Sequence, residues 1–144
     1  MKSGVADMWK VYALLSAIFA ALTAVFSKIG VKDVDSNLAV AIRVSLILIL
    51  VWGIALTTGA GSGLARVNQR TFIFLALSAI ATGLSWLFYF KALQLGQASQ
   101  VAPIDKLSVP LVILFSVLFL GEAVNFKTIA GGALITLGSL VLLL

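Results

Sequence analysis

Five apolar runs, separated by short polar or glycine-bearing stretches, set the pattern of this chain. Each is close to the roughly 20 residues that cross a hydrocarbon core of about 30 Å, so the pattern predicts five transmembrane helices, over about 11–29, 38–58, 72–95, 99–120 and 128–144. The first run is followed by Gly30 and VKDVDSN, which supplies turn formers and an expected helix N-cap at Ser36 or Asn37. The second ends in TTGAGSGLARVNQR, read as a glycine-rich polar loop. Gly96 closes the third, and GEAVNFK forms the last turn. Lys2 and Lys10 before the first run resemble the start of a signal peptide. The run is long and lacks a clean small-x-small site after it, so a retained helix is expected.

The fourth run carries Pro103 in its first turns and Pro110 in its middle. Proline removes one ladder hydrogen bond and crowds the carbonyl four residues earlier, here Lys106, so Pro110 is expected to bend the helix at that point. Small residues recur four apart: Ala13, Ala17 and Ala21, then Ser16, Ala20 and Ala24, and on the third run Ala79 with Gly83. The fifth run adds Gly131, Gly132 and Gly138. Such stripes allow close helix packing in lipid, which accounts for them by itself, and the wall of a solute cavity is the sharper alternative. Ser16 is a candidate for the cavity reading, against a plain in-helix hydroxyl.

Composition narrows the class. Hydrophobic residues make up 62% and charged residues only 10%, far from a soluble domain, so lipid is the expected solvent of a single all-α domain over residues 1–144. Cysteine and histidine are absent, which removes disulfides, thiol nucleophiles, imidazole bases and the common zinc ligand sets. No phosphate-cradling glycine loop, catalytic triad or metal cluster stands in the sequence, so neither an enzyme nor a cofactor is expected. The net charge of +5 is spread thinly between apolar runs, which points to lipid headgroups rather than nucleic acid as counterions.

Ionisable residues at membrane depth are costly and mark functional positions by default. Counted along the spans, Lys28, Arg43, Lys91, Asp105 and Lys106 all fall in one half of the membrane. Arg43 and Asp105 are matched in depth for an ion pair, whereas Lys106 stands about 100° around the helix from its neighbour. One reading is a basic vestibule with a single carboxylate, suited to an anionic or zwitterionic solute, with Asp105 carrying a proton. The other is a static Arg43–Asp105 pair beside lysines that snorkel to phosphates. Trp86 and Tyr89 share a helix face, either lining a cavity or packing at the interface. Glu122 reads as a solvated turn carboxylate.

The segment FYFKALQLGQASQVAPIDKLSVPLVILFSVLFLGE resembles the EamA-type domain of the drug/metabolite transporter superfamily. YALLSAIFAALTAVFSKIG and AGGALITLGSLVLLL are similar to its opening and closing helices, so the likeness covers nearly the whole chain. Most of the superfamily resembles ten-helix carriers built from two such domains. This chain has one and looks like the free-standing five-helix subgroup, half of an inverted-repeat architecture. The resemblance implies a carrier of metabolites or amphiphiles. The first run lacks the embedded glutamate of the small multidrug exporters, which argues against proton-coupled drug export by their mechanism.

Together these readings predict a secondary transporter moving a small solute across the inner membrane by alternating access. The competing reading is a non-transporting subunit that packs on a larger membrane partner through its small-residue stripes. Lysine and arginine divide evenly, Lys2, Lys10, Arg66, Arg70 and Lys127 on one side against Lys28, Lys32, Arg43, Lys91 and Lys106 on the other. The positive-inside rule therefore sets little orientation, although discounting the embedded charges favours a cytoplasmic N-terminus; a homodimer is expected, and an antiparallel one could restore the inverted arrangement.

Overall fold

The computed structural model describes residues 8–144, and every regular element among them is helical. The helices are α1 (Met8–Gly30), α2 (Ser36–Thr57), α3 (Gln69–Leu95), α4 (Ala98–Asp105), α5 (Ser108–Phe115) and α6 (Phe126–Val141). A 3-10 helix (Ala60–Arg66) follows α2, and a π-helical turn (Ser116–Leu120) extends α5. Four stretches are long and apolar enough to cross a membrane: α1, α2, α3 and the composite Ala98–Leu120. The fifth, α6, has 16 residues and spans about 24 Å, shorter than the core of about 30 Å. The large apolar side chains of these helices point outward, as with Phe88 at 75% and Leu95 at 80% exposure. In water such surface would drive aggregation, so it is lipid-facing surface.

Polar side chains outside the apolar runs fix where the helices begin. The Asp35 carboxylate accepts from the backbone N–H of Asn37 at 2.9 Å and of Leu38 at 3.2 Å. The cap is thus one residue before the expected Ser36 or Asn37, and a carboxylate suits the positive helix end. Asn68 caps α3 through the Thr71 N–H, and Asn125 caps α6 through the Thr128 N–H. The glycine-rich linker, expected as a loop, contains a 3-10 helix. Gly59, at φ 76°, turns the chain out of α2, and the Ser62 hydroxyl returns to the Gly59 carbonyl.

Contacts divide the described chain into two units. The first comprises residues 8–27 and 96–144. Here α6 packs on α4 and α5, and the buried positions are Ala24, Ser27, Gly132 and Ser139. The Ser139 hydroxyl donates to the Pro103 carbonyl at 2.8 Å. A β-carbon built on Gly132 would lie 2.8 Å from the Ile113 terminal methyl, so this glycine serves a close helix approach.

The ladder of the fourth span is interrupted where the proline rule places it. The α-helix stops at Asp105 and restarts at Ser108. Between them Lys106 N–H reaches the Pro103 carbonyl, Leu107 N–H the Ile104 carbonyl and Val109 N–H the Lys106 carbonyl, at 2.9 to 3.0 Å. These are three-residue bonds of the 3-10 kind. Pro110 has no N–H for the Lys106 carbonyl, and the turn tightens so that Val109 supplies one.

The second unit, Lys28–Leu95, holds the end of α1, the 31–35 turn, α2 and α3. Its core is small: Val31, Ser36, Val40, Phe90 and Leu93 are buried.

Candidate functional site

The site is built in the second unit, beginning with the turn that joins α1 to α2. The Gln94 side-chain amide donates to the Val31 carbonyl at 3.1 Å and to the Val34 carbonyl at 2.7 Å. The Lys28 ammonium donates to the Leu93 carbonyl at 2.6 Å, placing a cation at the negative end of α3. Val31 and Leu93 close between these bonds, at 1% and 0% exposure. The turn is thereby tied to the last turns of α3, and α2 must start against them.

Arg43 stands seven residues into α2, about 10 Å along its axis. Its guanidinium lies 4.3 Å from the Trp86 ring centroid and 5.5 Å from that of Phe90. Trp86 and Phe90 are four residues apart and share one face of α3. Tyr89 lies near the same guanidinium, on the next turn of α3. Within this unit the ring faces are its contacts, and its N–H groups meet no acceptor.

Beyond Trp86, α2 and α3 leave a groove of about 430 Å³. Val44, Leu48 and Trp52 form one wall, and Ser78, Thr82 and Trp86 belong to the other. Ala79 and Gly83 also line it, and a β-carbon at Gly83 would meet nothing within 4 Å. The small-residue pair read from the sequence thus borders open space on α3, unlike Gly132 on α6. No carboxylate lines the groove, and the Thr82 hydroxyl is turned back to the Ser78 carbonyl at 2.8 Å. The arrangement offers a hydrogen-bonding cation beside an apolar trough.

Of the residues singled out from the sequence, Arg43, Trp86 and Tyr89 are brought together. Lys28 sits in the same unit but binds a helix-end carbonyl, and Lys91 is exposed on α3. In the first unit, Asp105 pairs with Lys106 at 3.4 Å, both partly exposed. Sequence geometry dismissed that neighbour pair, but the α-helix ends at Asp105 and its 100° spacing does not extend past it. Ser16 is exposed on α1. Sequence reasoning missed Phe90 and Gln94. The four-residue spacing from Trp86 was the available signal for Phe90, whereas nothing local marks Gln94.

The chain matches the EamA-like transporter family model over residues 7–144. It is 51% identical over 134 residues to a Sinorhizobium sp. protein described as an uncharacterized transporter in the cobO 3' region, spanning 93% of this chain and 95% of that one. No solved structure matches it.

Proposed function

The chain belongs to the EamA-like transporter family, and on that premise we propose that it is a secondary carrier moving a small metabolite or amphiphilic solute across the inner membrane. Five crossings, with α6 as the fifth, make it one half of an inverted-repeat architecture. A chain of 15.1 kDa is small for enclosing a midplane site alone, and a homodimer, antiparallel in the membrane, supplies the second half.

The observation that carries the reading is Arg43, a cation within an apolar span whose donors meet no acceptor in its own unit and which stands beside an apolar groove. A charge kept there at several kcal/mol of desolvation cost is kept for a ligand or a coupling step. Alternating access then exposes the groove to each side of the membrane in turn.

Purified protein reconstituted alone into vesicles tests this by solute flux. Uptake or release above that of empty vesicles, lost in Arg43→Ala, supports the carrier. Absence of flux over a broad metabolite panel, with a larger membrane protein co-purifying from native membranes, makes the chain a subunit instead.

A further inference from the structure

A guanidinium stacked on a ring has its face covered and its edge open. The ring quadrupole offsets part of the charge but accepts none of the five N–H donors around that edge. Within its unit the Arg43 guanidinium lies over Trp86 and near Phe90 and donates to no acceptor. The planar fork matches the two oxygens of a carboxylate, and the two rings hold the guanidinium carbon in place before a ligand arrives.

Trp86 belongs to two features at once, since it carries Arg43 on its ring and lines the groove. From Val44 to Trp52 the groove follows about 12 Å of α2. Its volume is about 430 Å³, open along one side. The lining is apolar apart from the Ser78 and Thr82 hydroxyls and the Trp indoles, and it carries no carboxylate for a cationic head. Gly83 adds room where a side chain would stand.

We infer that the groove takes a soluble amphiphilic carboxylate, with its head on Arg43 and a single apolar body of about 10–12 Å lying past Gly83 toward Trp52. A phospholipid shares an anionic head. It brings two chains, each long enough for half the bilayer core, about 15 Å, so a single shorter body fits better. This inference rests on the carrier reading for its purpose, though its test does not require transport.

The test uses three compounds of one shape: 4-phenylbutanoate, 4-phenylbutanol and 4-phenylbutylamine. Binding is measured by calorimetry on the whole protein in phosphatidylcholine nanodiscs. The acid should bind at least about tenfold tighter than the alcohol, and the amine more weakly than both. Arg43→Gln should bring the acid to the level of the alcohol. Gly83→Leu, which fills open space, should weaken acid and alcohol alike by about tenfold. Equal binding of acid and alcohol by the natural protein, or preference for the amine, overturns the inference even if neither variant folds. Loss of acid binding in phosphatidylglycerol nanodiscs also overturns it, assigning the site to a lipid headgroup. Arg43→Lys is a second check, because a point charge without the stacked fork should lose most of the preference for the acid. Binding without flux of the acid in vesicles refutes the carrier reading and leaves this site standing. Flux of other solutes without acid binding does the reverse.

Discussion

The Arg43 guanidinium lies over the Trp86 ring, 4.3 Å from its centroid, joining α2 to α3 within the apolar part of both helices. Such contacts contribute about 0.5–1 kcal/mol when exposed and about 2 or more when desolvated. A double-mutant cycle of Arg43→Gln and Trp86→Leu, followed by thermal unfolding in detergent, should therefore give a coupling of about 1–2 kcal/mol. Trp86→Phe should keep part of it, since phenylalanine has the weaker ring quadrupole. Additive single changes would show that the ring contributes packing alone.

Gln94 joins the 31–35 turn to α3 through two hydrogen bonds from one amide. Removing the donor leaves the Val31 and Val34 carbonyls short of a partner. Gln94→Leu should cost about 1–3 kcal/mol of stability. Gln94→Glu should cost at least as much at neutral pH, because an ionised carboxylate has no donor and faces two carbonyl oxygens. A melting temperature unchanged in Gln94→Glu would mean that water already serves these carbonyls.

Pro110 should be the cause of the break between α4 and α5. In Pro110→Ala the new N–H can reach the Lys106 carbonyl, and the three-residue bonds at 106, 107 and 109 can revert to an α-ladder. Hydrogen exchange of the Leu107 and Val109 amides should slow, together with an increase in helix content. Exchange unchanged from the natural protein would place the cause elsewhere, for instance in the Ser139 bond to Pro103.

How much of this was legible from residues alone depends on the range of the interaction. The break at Lys106 was legible because proline acts on a carbonyl at fixed spacing. The start of α2 was legible to within one residue, since Asp35, Ser36 and Asn37 all make good caps and only coordinates choose among them. The contacts of Arg43 were not legible. They depend on which face of α3 meets α2, and that is fixed by Lys28 and Gln94 reaching carbonyls 60 to 65 residues away in sequence. Depth counting considers charge and distance from the surface but no ring faces, so it could not have found Trp86 or Phe90 beneath Arg43. The same limit applies to the small residues, of which Gly132 makes a close contact and Gly83 borders open space.

Those two glycines should respond differently to the same change. Gly83→Leu adds a side chain where nothing lies within 4 Å, so stability should hold or rise slightly through better helix propensity. Gly132→Ala meets only the end of the Ile113 side chain, which can rotate away, and should cost little. Gly132→Leu overfills the contact between α5 and α6 and should cost about 1–3 kcal/mol. Equal melting temperatures for the two leucine variants would refute the distinction.

Orientation provides the last test, and the charge balance motivates it. If the chain crosses five times, its ten lysines and arginines divide five against five across the span ends, and no side is then marked as cytoplasmic by number. Two domains with an odd number of crossings, fused in series, must be inverted relative to each other. A free half with five crossings recovers that arrangement only if copies insert both ways. The chain has no cysteine, so Ser62→Cys places a single thiol in the exposed 3-10 helix after α2. Labelling intact cells with a membrane-impermeant maleimide, then opening them and labelling again, should mark a substantial fraction in each step. Adding two lysines beside Ser62 should shift that division strongly to one orientation, because a balanced chain responds to small charge changes. If every molecule of the unshifted protein is labelled from one side, the antiparallel homodimer is wrong and the second half of the carrier must be a parallel copy or another chain.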